Sequence, residues 1–492
     1  MALAWDRASF EDPSKTTQWL TNWSGQQFGE AAAANTSSIM TTYGKLISRM
    51  KYEDLSRTPF AFNTLNYDEA EKNLDEWVEL AGRAQATFDN LPASIQNSFF
   101  EVVLHPVVAG KGVYEIYTKA ALGAQYANQH RASTNDLAAD VQVAFAQDKD
   151  LTKRFHTILN GKWNHIMDQI HLGYTTWQDP SSASLPRLTY SPAGSTGRGA
   201  VMGVAVQGSN SAFPTATSLS IPTLSPYRTG QPWFDVFARD NGTFSYQVTF
   251  SVPYITVTNQ NAAVSSPGTP DVRCLVSVDW TAVPAGKSTA ILTIKSSDGS
   301  SATINIPLDN SAAPEDFRGH VEAGGVVSIE AEHFDTKSSG KEYMVIPDYG
   351  RTLSGVRLPP STASQAPGKG PALVYPFYTF LSAASASITV YLSPSENSNP
   401  SSPNRYSFVI DGGTTTTIQP VPLGDAGNEP AGWSEAAIVN AYVKSSKIGN
   451  LAPGRHELRF YLLEPTMVVT KLVIDVGGLQ PSLLGPPESK RV

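Results

Sequence analysis

The sequence predicts a multidomain chain of the α plus all-β class, an antiparallel helical bundle followed by two β-sandwich-like units. Three observations carry this reading. Apolar residues recur at helical spacing between 11 and 177, short alternating runs separated by turn signals fill the chain beyond 200, and a Ser/Pro/Gly-rich stretch at 181–200 divides the two styles. A length of 492 residues suits about three domains.

Taken in order, residues 11–52 read as helix, with Trp19, Trp23 and Phe28 spaced amphipathically before an Ala-rich run. Residues 67–88 follow the i, i+3, i+4, i+7 template through Leu74, Trp77, Val78, Ala81, Ala84 and Phe88. Asn66 or Asp68 is a candidate N-cap there, and Glu69 and Glu71 suit the first turn. Pro92 opens a helix at 94–108, another follows at 110–129, and Ser133-Thr134-Asn135 begins a third with Leu137, Val141 and Phe145 on one face. Residues 151–177 complete the set, and short connections among them imply an antiparallel bundle at 11–180.

After the linker at 181–200, strands are expected at 201–206, 233–237, 244–252, 255–257, 274–280, 290–295 and 302–307, with 219–226 as a turn-rich bridge. Turn signals such as Asp240-Asn241-Gly242 and Asp298-Gly299 give the spacing of an immunoglobulin-like sandwich over 201–318. A second sandwich is expected over 319–484, with strands at 326–334, 344–346, 372–377, 387–392, 406–410, 454–463 and 468–476, followed by a tail at 485–492.

Composition excludes several function classes. The formal net charge is -8 and no Lys/Arg cluster occurs, which disfavours nucleic-acid binding. No apolar run reaches the roughly 18 residues of a membrane span. Charged residues make up 16%, below the usual share of about 25%, and Ser, Thr, Asn, Gly and Pro replace them, as in β-rich secreted proteins. Sequons at Asn22, Asn35 and Asn241 point the same way, while MALAWDRASF carries no signal-peptide pattern. One cysteine, Cys274, rules out a disulfide framework and reads as a buried structural thiol.

The densest chemistry lies in GKWNHIMDQIHLGYTTWQDP at 161–180. As a helix, it would put Trp163, Met167, Ile170, Tyr174 and Trp177 on a core-facing stripe, with Asn164, Asp168, His171 and Thr175 on a second one. That polar stripe reads as a domain-interface network or as a ligand contact. His165 falls off it, and the i, i+6 spacing of His165 and His171 does not suit zinc. The second motif is Ile329-Glu330-Ala331-Glu332-His333-Phe334, where a strand would put Glu330 and Glu332 on one face. Ca²⁺ ligation, joined by Asp475, is one solution to their repulsion, and a solvated acidic edge is the other. No GxSxG elbow, Gly-rich phosphate loop or Cys-His pair is present, and no catalytic constellation can be assembled.

Several segments resemble the C-terminal half of glycoside hydrolase family 115, the α-glucuronidases that remove glucuronic or 4-O-methylglucuronic acid from xylan. They are GKWNHIMDQIHLGYTTWQDP at 161–180, VVLHPV at 102–107, MGVAVQGS at 202–209, VSIEAEHF at 327–334, SITVYLSP at 387–394 and VIDVGGLQPSLLGPPES at 473–489, in the family's order. The resemblance implies that the catalytic carboxylates sit on a (β/α)₈ barrel, of which residues 1–10 resemble only the end, with Asp6 where the family commonly has Asn. It therefore implies no catalytic residue in this chain and places 161–180 at the seam with the barrel. A bundle without its barrel would expose apolar surface and be poorly soluble. No cofactor is required by the resemblance, though a structural Ca²⁺ at Glu330 or Glu332 is implied by likeness to carbohydrate-binding modules. Glucuronoxylan-type polysaccharide is the implied partner, in a secreted setting. A homodimer is also implied, with Tyr391 and Tyr406 as candidate contacts. Two rival readings are a non-catalytic carbohydrate-binding protein and a structural or adhesive β protein.

Overall fold

The computed structural model describes residues 12, 14–57, 59–174, 178–191, 201–337, 339–340, 342–424 and 429–492. The bundle comprises α1 (Ser14–Phe28), α2 (Glu30–Ile47), α3 (Glu69–Asp89), α4 (Ala93–Phe99), α5 (His105–Asn128) and α6 (Thr134–Gly161). Gly29, with φ of 90°, breaks the expected single run into α1 and α2, a backbone angle that favours glycine. The break expected near 109 is absent: α4 and α5 are joined by a π-helical turn, Phe100–Leu104. Pro106 explains the turn, because it supplies no N–H and its ring would crowd the Val102 carbonyl in a regular α-helix.

The bundle core centres on Trp77, fully buried and stacked on Tyr114 at 4.9 Å. Gly110 lets α5 approach this pair, since a Cβ there would lie 2.4 Å from Tyr52 Oη and 2.7 Å from the Trp77 ring. Leu46, Leu80, Phe99 and Ile116 complete the fully buried centre.

The first sandwich packs the sheet Ala212–Phe213, Met202–Val206, Trp233–Ala238, Asp271–Val278, Ile255–Val257 on the sheet Leu219–Ser220, Ser301–Asn310, Gly286–Ser296, Gly242–Phe250, Asn261–Ser266, each in spatial order. Alternation along Gly242–Phe250 sends Phe244, Tyr246 and Val248 inward. Cys274 is fully buried against Tyr246 Oη at 3.3 Å, and burial pushes its thiol up to about 11, which fits a structural role. The second sandwich has one sheet in the order His320–Val321, Leu373–Thr379, Gly454–Leu462, Tyr406–Ile410, Thr416–Ile418. Its other sheet runs Met344–Ile346, Gly355–Arg357, Val469–Asp475, Ala383–Leu392, Tyr442–Leu451, with Val326–Glu330 also paired to Val469–Asp475. Residues 485–492, expected as a tail, are laced onto it: Val492 and Gly319 exchange backbone hydrogen bonds of 3.0 and 3.1 Å, and the Ser489 amide donates to the Ser328 carbonyl at 2.9 Å. Among the described residues no (β/α)₈ barrel occurs, and no helix is long and apolar enough to cross a membrane.

The start of α3 ties the three modules together. Tyr67 and Asp68 both have positive φ, 60° and 55°, which splays consecutive side chains toward different neighbours. The Tyr67 hydroxyl accepts from the Gln480 amide at 2.9 Å, and the Glu69 carboxylate accepts from the amides of Leu483 and Leu484 at 3.0 and 2.6 Å. Asp68 turns the other way, accepting from Trp233 Nε1 at 2.9 Å and from Gln207 Nε2 at 3.0 and 2.9 Å. Asp68 thus occupies the N-cap position without capping the helix through its side chain. Deeper in the seam, buried Arg131 pairs with Asp235 at 3.0 Å, Asp235 pairs with Arg273 at 2.9 Å, and Arg273 reaches Glu71 at 2.9 Å.

Candidate functional site

The helix expected across 161–180 ends where that stretch begins. Leu159, Asn160 and Gly161 have φ of 51°, 57° and 80°, so the chain turns left-handed at an Asn-Gly pair suited to it. Residues 162–174 are turns and irregular backbone, with His165 again at positive φ, so the core and polar stripes expected there do not form up to Tyr174, and Thr175 lies outside the described residues. Leu172 anchors the loop by burying itself in the bundle core, and Trp163 donates from Nε1 to Glu101 Oε1 at 2.5 Å.

The loop carries the polar residues to separate partners. His165 Nδ1 meets Asp168 Oδ2 at 2.6 Å, both exposed, and Asn164 is exposed beside them. The Met167 amide donates to His156 Nε2 at 3.2 Å, which requires a lone pair on that nitrogen. His171 Nε2 meets Asp148 on α6 at 2.9 and 3.0 Å. The Tyr174 hydroxyl donates to Asp179 at 2.7 Å, and Gln169 Nε2 donates to the same oxygen at 3.2 Å. Trp177 lies outside the described residues.

Together the loop, α5 and α6 enclose an open cleft of about 630 Å³, whose walls include His105, Asp148, Met167, Gln169, His171 and Tyr174. That size suits a small ligand or an inserted side chain cluster. Its two histidines are driven apart in protonation. The hydrogen bond to Asp148 raises His171, and burial lowers His105 to about 4, which keeps it neutral. Among the described residues, the cleft wall combines hydrogen-bonding groups with the His171–Asp148 pair.

The second set of expected residues is not brought together. The strand Val326–Glu330 ends before Glu332, so the period-2 pairing of the two glutamates fails. Glu330 is buried, and Lys471 Nζ meets its carboxylate at 3.1 Å while Thr352 Oγ1 donates at 2.9 Å. Asp475 faces Val326, four residues from Glu330 in the ladder and so about 13 Å away. There it accepts from the amides of Gly477, Gly478 and Leu479. These residues do not fit a shared Ca²⁺, because Lys471 already neutralises Glu330. Tyr406 is fully buried in the sandwich core against Phe460, and Tyr391, 6% exposed, is covered on the opposite sheet face with Val326 and Val473, so neither is open to a partner. Sequence reasoning missed the His320–Glu488–His333 cluster, with His320 Nε2 at 3.1 Å and His333 Nδ1 at 2.7 Å from the same carboxylate oxygen. Its members are too far apart in the chain for any local pattern to reveal.

Residues 319–488 match the model of the glycosyl hydrolase family 115 C-terminal domain, and residues 1–54 match the model of glycosyl hydrolase family 115. At both ends, then, the chain is similar to glycoside hydrolase family 115. A solved family 115 protein, described as a 4-O-methyl-alpha-glucuronidase, BtGH115A, with specificity for decorated arabinogalactans, has a similar fold at a TM-score of 0.53 and 14% identity. That likeness covers 93% of this chain and 41% of the solved one, so this chain spans less than half of that protein's length. A carbohydrate-binding module of a laminarinase from Zobellia galactanivorans aligns over 30% of the chain and 98% of its own, at 17% identity and a TM-score of 0.21. One from a Cellvibrio mixtus lichenase aligns over 30% and 95%, at 16% identity and a TM-score of 0.20. No curated protein matches the sequence.

Proposed function

We propose that these 492 residues form the helical and β-sandwich part of an α-glucuronidase acting on glucuronate-decorated polysaccharide, and are inactive by themselves. The observation that carries the reading is the family match at both ends of the chain, in family order, combined with one fold likeness running through 93% of it. Hydrolysis in this reading belongs to a (β/α)₈ barrel, and the cleft formed by the 162–174 loop, α5 and α6 receives that barrel. The exposed His165–Asp168 pair and the His171–Asp148 pair give the docking face its polar contacts. The substrate is a plant polysaccharide bearing glucuronate or its 4-O-methyl ether. Xylan comes from the motif resemblance, and arabinogalactan is named for the solved relative, so both belong in the assay.

The test incubates purified chain with glucuronoxylan and with arabinogalactan, alone and mixed with a family 115 polypeptide carrying the barrel. Release of acidic sugar only from the mixture supports the reading. Asp148→Ala should then weaken the mixture's activity by reducing association. No release from a mixture in which the two polypeptides demonstrably associate would overturn it.

A further inference from the structure

A second cavity, of about 310 Å³, opens where the bundle and both sandwiches meet. Its walls come from the turn before α3, from the segment 222–230 of the first sandwich, and from the glycine-rich crossing of 323–326 with 478 in the second. That crossing is set tightly: a Cβ on Gly478 would lie 1.8 Å from the Gly324 carbonyl oxygen. The polar groups are held as well. Gln207 bridges the wall, donating to Asp68 through Nε2 and accepting from Arg228 Nη2 at 3.1 Å through Oε1. The Tyr67 hydroxyl is fixed by the Gln480 amide at 2.9 Å.

The charges in this wall do not balance locally. Asp68 is served by Gln207, Trp233 and, at 3.5 Å, by Lys72. Arg228 has only Gln207 Oε1 and, at 3.4 Å, the Thr223 carbonyl; among the described residues no carboxylate forms an ion pair with it. Its Nε is buried with no hydrogen-bond partner. A guanidinium offers five N–H donors, and two neutral acceptors answer only part of them. Burial also lowers its affinity for its proton, with Asp68 a partial offset. Desolvating a cation without a matched anion is costly, so a cavity edged by such a guanidinium favours an anionic occupant. Lys72, half exposed at the rim, adds a second positive charge. The volume lies at the lower end of ligand sites, about right for one sugar ring and too small for a chain of them. Tyr67, Gln207 and Gln480 supply hydrogen-bonding groups of the kind a ring hydroxyl needs.

We infer that this three-module cavity binds a single sugar acid, its carboxylate against Arg228 and Lys72 and its hydroxyls toward Tyr67 and Gln480. The choice of glucuronate as the sugar rests on the proposed function; the anionic, polyhydroxylated class rests on the cavity. Bound there, the ligand touches all three modules and holds them in one arrangement.

The experiment titrates the full chain with D-glucuronate, with D-glucose, and with acetate, by calorimetry at low salt. Saturable glucuronate binding, at least tenfold weaker for both glucose and acetate, is expected. Arg228→Met should weaken it at least tenfold. Lys72→Met, at a half-exposed position on α3, should weaken it several-fold and flatten its salt dependence while the urea unfolding midpoint confirms the fold. Glucose or acetate binding as well as glucuronate would overturn the assignment, as would absent glucuronate binding, or a Lys72→Met chain that binds it like the parent. A chain that restores hydrolysis when mixed with the barrel yet ignores glucuronate refutes this cavity alone. One that binds glucuronate but never restores hydrolysis refutes the proposed function and leaves the cavity's assignment standing.

Discussion

Replacing Arg131 by Met should cost this protein about 3 kcal/mol through loss of a buried charge partner. The guanidinium is 1% exposed, lies between the rings of Tyr126 and Phe237 at 4.0 and 4.5 Å, and donates to Asp235 at 3.0 Å, Asp271 at 3.3 Å and Gln129 Oε1 at 2.6 Å. Removing one member of a buried pair costs about 3–5 kcal/mol because the other charge stays desolvated. Here Asp235 keeps Arg273 at 2.9 Å, which argues for the low end of that range, while Asp271 loses its only ion pair among the described residues. Burial alone would raise the Asp235 carboxyl, and the two guanidiniums outweigh it and hold it below the ordinary range. That stabilisation is therefore complete above about pH 4 and fades as pH falls through the lowered native value. Urea unfolding followed by Trp233, which lies under Arg273 at 3.8 Å, reads the seam directly. The double variant Arg131→Met/Asp271→Asn should recover part of the loss, since it removes the carboxylate that the single variant leaves without an ion pair. A single variant within about 1 kcal/mol of the parent at neutral pH would refute the reasoning.

Three further outcomes are expected. Gly110→Ala should destabilise the bundle by about 1–3 kcal/mol in thermal or urea unfolding, because its Cβ overlaps Tyr52 and Trp77. The two cleft histidines should titrate in opposite directions by NMR. His171 should lie above the ordinary value of about 6.5, giving stability that is full below 6.5 and lost as pH rises through its native value; Asp148→Asn removes it. His105, held near 4, should stay neutral to low pH and favour the fold above about 6.5, an advantage lost as pH falls from there toward 4. Lys471→Met should destabilise the second sandwich by about 3 kcal/mol by stranding buried Glu330, whereas EDTA added to the parent should leave its melting temperature unchanged.

The helical bundle was legible because α3 writes its core positions at regular spacing, and the sandwiches because their strands alternate between turn residues. What periodicity could not see was backbone handedness. Apolar spacing continues through Trp163, Met167 and Tyr174, yet left-handed Leu159, Asn160 and Gly161 stop the helix before them. The edge strand Tyr442–Leu451 was missed because its side chains are mostly solvated Lys, Ser and Asn. Glu69 and Glu71 looked like helix-dipole partners, but they bind the C-terminal segment and Arg273. Tertiary contacts of this kind, between residues 202 and 415 positions apart, leave no local trace.

The proposed function has this chain completing a glucuronidase whose hydrolysis belongs to a separate barrel. The direct measurement is release of glucuronate and 4-O-methylglucuronate from glucuronoxylan and arabinogalactan, by the purified chain alone and by the chain mixed with a barrel-bearing family 115 polypeptide. Acidic sugar is expected from the mixture only. Release by the 492-residue chain alone, abolished by no change in any copurifying protein, would contradict it.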